Sequence, residues 1–209
     1  MKEIVAKFIS YLVNYKVRKR FTNMFLYASI LSNERYIKKN AVSCGEDIRF
    51  YKPISILNPQ YFEIGNNFKM DYFGIFEAWD KHGKSYFSPR IKIGNNVSFG
   101  KNCHVGCINE IEIDDNVLFG SNVLIIDHDH GRSFPEDLEC PPNERKLYSK
   151  GKIHIGKNVW VGEKATILGG VNIGNQCIIG ANTVVTKDIP SNCVVCGNPA
   201  KIIKRGIRR

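Results

Sequence analysis

Residues 151–187 read GKIHIGKNVWVGEKATILGGVNIGNQCIIGANTVVTK. An aliphatic residue recurs at every sixth position, and a small residue usually follows it: Ile155-Gly156, Val161-Gly162, Ile167-Leu168, Ile173-Gly174, Ile179-Gly180, Val185-Thr186. A short fixed period marks a solenoid, in which each repeat buries its apolar face only against its neighbours. Six residues are too few for a helix pair. They suit a parallel β-helix, in which three short strands make one triangular coil of about eighteen residues. The aliphatic side chain then points into the coil, and the next residue sits in a cramped place where Gly costs least.

The period extends towards the N-terminus. Ile64-Gly65-Asn66-Asn67-Phe68, Ile93-Gly94-Asn95-Asn96-Val97, Ile113-Asp114-Asp115-Asn116-Val117, Ile155-Gly156-Lys157-Asn158-Val159 and Ile173-Gly174-Asn175-Gln176-Cys177 repeat one five-residue pattern. Asn and Gly supply the positive-φ corners of a tight coil, so Asn95 and Asn116 are turn residues first. Ile93 and Ile113 are twenty residues apart, which gives one corner two extra residues. The reading is mainly β, a parallel β-helix over 46–190. An N-terminal cap covers 1–45, and a basic tail covers 191–209. In the cap, Val5, Phe8, Ile9, Leu12 and Val13 have helical spacing.

Two stretches break the period. Residues 72–88 are aromatic and irregular and contain Trp79, Asp80 and His82. Residues 127–150 open as Asp127-His128-Asp129-His130-Gly131 straight after an inward-facing strand. A long excursion from a regular solenoid is costly to order and is usually functional. His128 and His130 are two apart, so on an extended segment both point the same way.

The 209 residues carry a formal net charge of +10, concentrated at the ends, which favours anionic partners. No apolar run approaches the ~18 residues that span a bilayer, and no secretory signal is evident. The odd count of seven Cys argues against a disulfide framework and for a cytoplasmic protein with reduced, largely buried thiols. The basic N-terminal helix is also compatible with an anionic membrane surface, as in a protein peripheral to the inner membrane.

Three runs carry a family resemblance: Asn158-Val159-Trp160-Val161-Gly162, Val184-Val185-Thr186-Lys187-Asp188-Ile189-Pro190 and Gly197-Asn198-Pro199-Ala200-Lys201. With the Asp-His-Asp-His-Gly run, they resemble the hexapeptide-repeat acyltransferases with a left-handed β-helix. The nearest branch is that of the sugar O-acetyltransferases of bacterial surface polysaccharides. The resemblance covers about residues 60–205 and supplies the left hand of the coil, an exception to the right-handed crossover rule.

It implies a homotrimer that binds acetyl-CoA between adjacent subunits, with no metal, and a His at the thioester. It implies transfer to a sugar hydroxyl in a ternary complex, with no acyl-enzyme. A His titrating near neutrality suits the removal of the hydroxyl proton, and backbone N–H groups at a coil corner suit the oxyanion. Counting without gaps from Asp114 selects His130 as the base, whereas a two-residue gap selects His128. Asp127 or Asp129 would orient the ring. Trp160 matches the residue lining the transfer site. Glu163, Ala181, Thr186 and Lys187 match positions along the pantetheine arm, and Lys201 and Lys204 match basic positions at the CoA phosphates. Glu163 stands where relatives often have a small residue.

Other classes are weighed against this one. Within the transferases the rival is an amino-sugar N-acetyltransferase, and nothing in the sequence fixes O- against N-acetylation. A γ carbonic anhydrase-like enzyme would draw metal ligands from His104, His128, His130 and His154, but this chain lacks the His pair five residues apart within one coil. No recognition helix or aromatic-basic motif suggests nucleic acid. The acceptor is expected to meet the stretch from Tyr72 to Tyr86 and the excursion, including Arg132 and Phe134.

Overall fold

The computed structural model describes residues 2–12, 15–132 and 134–206, with the side chains of 8–12 and 15–18 outside the description. Three parallel sheets wrap one core. The first face stacks strands at 43–44, 62–64, 90–93, 110–113, 153–155 and 172–173. The second face stacks those at 49–50, 69–70, 98–99, 118–119, 160–161, 178–179 and 193–196. The third stacks those at 55–57, 75–78, 104–107, 124–126, 166–168 and 184–185. The chain visits the faces in that order six times, so the architecture is the expected parallel β-helix of hexapeptide repeats.

The coil is longer than expected at both ends. Its first strand begins at Ser43, and Cys193–Cys196 still pairs in parallel with the coil below. The supposed tail turns back as Lys201–Arg205 and pairs antiparallel with that last strand. The irregular stretch is also shorter than expected. Ile75–Ala78 is a regular third-face strand, and the true insertion is a hairpin pairing Lys81–His82 with Ser85–Tyr86.

Alternation sends every second side chain into the prism. Phe50, Phe62, Phe68, Phe76, Phe99 and Phe119 fill the N-terminal two-thirds, with Phe99 and Phe119 stacked at 4.2 Å. Aliphatic residues such as Ile155, Ile167 and Ile179 fill the rest. Cys103, Cys107, Cys177 and Cys193 are buried with them as free thiols. Cys193 and Cys196 have the spacing of redox and zinc sites, but Cys193 points inward while Cys196 is half-buried on the other side of its strand.

The five-residue pattern divides its labour. The fourth residue takes the left-handed turn, with positive φ at Asn67, Asn96, Asn116, Asn158 and Gln176. Such a conformation costs a residue with a Cβ about 1–2 kcal/mol, least for Asn. The third residue does something else. Asn95 has no positive φ; its side chain accepts the Asn66 N–H at 2.9 Å, while its own N–H donates to Asp115 at 2.8 Å. Gly at the second position answers close approach between coils, since a Cβ on Gly94 would stand 2.7 Å from the carbonyl carbon of Asp114.

The cap is two helices, α1 (Lys2–Leu12) and α2 (Tyr15–Asn40). Ile30, Asn33 and Ile37 of α2 are buried against the first coil, and Asn33 donates to the Phe50 carbonyl at 2.9 Å. Phe21, Met24 and Phe25 lie exposed nearer its start. The expected helical stripe from Phe8 to Val13 lies outside the described side chains.

The outer rows differ by face. The first face carries paired charges: Arg90 meets Glu63 at 2.7 Å, and Lys92 meets Glu112 at 2.7 Å. The second is polar at Arg49, Lys69 and Ser98 and turns apolar at Leu118, Trp160, Ile178 and Val194. The third carries Leu124, Thr166 and Val184 in one row and Ile126 and Leu168 in the next.

Candidate active site

The two extra residues of the 93–113 coil fall at the corner between third and first faces, at Ile108 and Asn109. A widened corner leaves backbone donors that the sheets cannot satisfy. Asp127, arriving at the same corner one coil later, satisfies them. Its Oδ1 accepts the Ile108 N–H at 2.9 Å, and its Oδ2 accepts the Asn109 N–H at 2.8 Å. The carboxyl is fully buried. Cys107 Sγ lies 3.3 Å from Oδ2, and burial, added to by that carboxylate, pushes its thiol well above the usual range.

The same carboxylate reaches His128, whose Nδ1 lies 3.0 Å from Oδ1. An ionised carboxylate can only accept, so Nδ1 carries the hydrogen and Nε2 is left as an acceptor. His128–His130 then pairs antiparallel with Leu147–Ser149, and alternation sends both rings to one side. His130 is exposed; its Nδ1 donates to the Pro142 carbonyl at 3.0 Å. Asp129 points the other way and sits 3.7 Å from Lys150, away from both rings. Of the two acids expected to orient an imidazole, Asp127 touches one and Asp129 does not.

A cavity of about 210 Å³ opens where these rings face the outer surface of the third face, lined also by Glu77, Trp79, His82 and His104. The hairpin and the excursion meet above it. His82 Nε2 lies 3.1 Å from the Asn143 carbonyl, and its ring is 5.4 Å from that of His130. The stretch from Tyr72 to Tyr86 thus reaches the cavity through Glu77, Trp79 and His82 rather than through its end tyrosines, while Arg132 and Phe134 do not line it. Arg132 lies over the Phe134 ring at 5.2 Å on the excursion, and Tyr72 packs on Tyr51 at 5.3 Å. Glu77 and the placement of His104 were missed. Their signal is register: Glu77 and Gly106 are ladder partners.

The remaining expected residues divide between two sides of the prism. Trp160 stands on the second face, 52% exposed, and Glu163 and Ala181 follow at the exposed corner between second and third faces. Lys201 and Lys204 are beside the same face, paired with Cys196 and Val194. Thr186 and Lys187 stand with His128 at the corner between third and first faces. One chain therefore does not bring Trp160 to His128. Among the described residues no group of three or more His, Cys, Asp or Glu is placed to hold a metal. His154, a ligand in the metal reading, is instead on the first face, 2.7 Å from Asn172 Oδ1.

Residues 152–187 match the family described as bacterial transferase hexapeptide (six repeats). The chain is 36% identical over 168 residues to the "Putative lipopolysaccharide biosynthesis O-acetyl transferase WbbJ" of Escherichia coli strain K12, across 76% of this chain and 78% of that one. Among solved structures it resembles a galactoside acetyltransferase in complex with coenzyme A, at TM-score 0.54 and 28% identity, covering 82% of this chain and 68% of the other. It also has the fold of AntD, an N-acyltransferase from Bacillus cereus, at TM-score 0.68 and 23% identity, covering 84% and 90%. The chain belongs to the hexapeptide-repeat acyltransferases with a left-handed β-helix, in their sugar O-acetyltransferase branch. Acetyl-CoA is the co-substrate of that chemistry.

Proposed function

We propose that the protein moves an acetyl group from acetyl-CoA to a sugar hydroxyl in the synthesis of a bacterial surface polysaccharide, with His128 as general base. The observation that carries the assignment of the base is the buried Asp127 carboxylate on His128 Nδ1, which leaves Nε2 free to accept a proton. In the reaction, His128 Nε2 takes the hydroxyl proton as the sugar oxygen attacks the thioester carbonyl. The tetrahedral intermediate collapses, the carbon–sulfur bond breaks, and the CoA thiolate takes the proton back from the imidazolium. Asp127 keeps the ring oriented and stabilises its transient charge.

The working unit in this reading is a homotrimer. Acetyl-CoA lies in a groove whose walls are the Thr186–Lys187 side of one subunit and the Trp160–Lys201 side of the next. Two observations support this. The expected residues occupy opposite sides of one prism, and over the C-terminal coils the outer rows of the second and third faces are largely apolar, from Leu118 to Val194 and from Leu124 to Val184, whereas the first is ion-paired. Contiguous exposed apolar surface marks an interaction site. An acetyl-CoA assay against nucleotide sugars and oligosaccharides, with light scattering on the same sample, tests both parts. The expected outcome is sugar-dependent thiol release by a trimer; a fully active monomer overturns the groove, and no transfer to any sugar overturns the reaction.

The exposed Phe21, Met24 and Phe25 follow the cationic run Lys16 to Arg20, a combination suited to the surface of an anionic membrane carrying a lipid-linked acceptor. Among the described residues no helix is long and apolar enough to cross a membrane. Deleting residues 1–20 is expected to lower partition onto anionic vesicles, and unchanged partition discards the contact.

A further inference from the structure

The proton transfer above leaves Glu77, Trp79 and His104 unused, although all three line the cavity with His128. The outward row of the third face runs Leu57, Glu77, Gly106, Ile126, Leu168. Gly106 is a gap in that row, and two imidazoles overhang it. A Cβ added there would stand 3.3 Å from His104 Nε2 and 3.6 Å from His128 Cε1. Its backbone is not left-handed, so the missing side chain answers space rather than conformation.

Glu77 is held in place from behind. Its Oε2 accepts from Trp79 Nε1 at 3.2 Å and its Oε1 from Ser55 Oγ at 3.3 Å. His104 Nε2 stands 3.7 Å from Oε2, longer than a direct hydrogen bond. The carboxylate therefore keeps acceptor capacity on the side facing Gly106 and His128, and the His104 tautomer that the nearby carboxylate favours, with its hydrogen on Nε2, offers a donor there. Burial holds the His104 pKa below the usual histidine value, against the pull of Glu77 and with a further push from His128. The ring is thus neutral near pH 7 and adds no charge beside His128. A neutral donor next to a fixed carboxylate is what a sugar hydroxyl requires, since it donates one hydrogen bond and accepts others.

We propose that Glu77 and His104 bind the acceptor hydroxyl adjacent to the one His128 deprotonates, so that the enzyme selects a sugar presenting a vicinal diol over Gly106. The second hydroxyl donates to Glu77 Oε2 and accepts from His104 Nε2–H, and the first lies at His128 Nε2. The inference rests on His128 being the base. It adds a reason for selectivity, because a site built to hydrogen-bond a hydroxyl is left with unpaired polar groups when that hydroxyl is missing.

The test uses the full-length protein, acetyl-CoA, and a panel of methyl hexopyranosides with their monodeoxy derivatives. Wild-type kcat/KM is expected to fall at least tenfold when the hydroxyl next to the acetylated position is removed. Glu77→Gln and His104→Gln should each fall at least tenfold on the diol and lose nothing further on the deoxy sugar. Their KM for acetyl-CoA and their far-UV circular dichroism should match wild type, which reports an intact fold. Equal losses on diol and deoxy acceptors, a wild type indifferent to the neighbouring hydroxyl, or a panel in which no vicinal diol is acetylated overturns the proposal. The base assignment fails separately, if His128→Ala transfers acetyl at the wild-type rate.

Discussion

His128→Ala is expected to lower kcat for acetyl transfer by about 10²–10⁴-fold, the usual contribution of a positioned general base. Acetyl-CoA binding should be little changed, because the ring meets the acceptor's proton rather than the nucleotide. The companion variant gives the prediction its edge. His130 shares the cavity, but it is exposed, and its ring is fixed by the carbonyl of Pro142, a neutral acceptor. A carboxylate stabilises an imidazolium better than a carbonyl does, so of the two rings His128 is better equipped to hold a proton mid-reaction. His130→Ala is therefore expected to cost less than tenfold, mostly in acceptor KM. The reverse ranking, with His130→Ala the slower variant, would move the base two residues along and leave Asp127 a purely structural group. Steady-state kinetics on both variants with one acceptor decides it.

The choice between these two rings shows where sequence reading runs out. Period, strand direction and inward positions were legible because each hexad repeats a local requirement: an aliphatic residue for the core, a small residue under the next coil, an Asn for the left-handed turn. The twenty-residue spacing from Ile93 to Ile113 was legible too, but not which corner carries the excess. Placing it at Ile108 and Asn109 explains why Asp127 is buried and why His128 is oriented. No local rule pairs residue 127 with residues 108 and 109; the pairing exists only once the coils are stacked. The same holds for Glu77, 29 residues before its ladder partner Gly106, and for His82, which the hairpin carries to His130. The aromatic stretch from Tyr72 to Tyr86 does reach the cavity, through Trp79 and His82, whereas Arg132 and Phe134 of the excursion pack on each other outside it.

Asp127→Ala is expected to destabilise the fold by about 2–5 kcal/mol and to reduce transfer nearly as much as loss of His128. The stability cost follows from what the carboxylate satisfies. Ile108 N–H is buried, Asn109 N–H lies at the same corner, and each would lose its acceptor; a donor stranded in this way costs about 1–3 kcal/mol. The activity cost follows from the ring, since without its acceptor on Nδ1 His128 is free to rotate or to present the wrong tautomer. Asp127→Asn separates the two effects. An amide oxygen in the Oδ1 position still accepts from Ile108 and from His128, but the amide nitrogen then faces the Asn109 N–H, donor against donor. That variant should lose about 1–3 kcal/mol in urea unfolding while keeping more activity than Asp127→Ala. Flipped, it would satisfy Asn109 and strand both Ile108 and the ring, so the stability and kinetics of the Asn variant together report which way the amide settles. If Asp127→Ala unfolds at the wild-type midpoint and transfers acetyl at the wild-type rate, the buried carboxylate neither holds the widened corner nor sets the ring, and the assignment of His128 loses its physical basis.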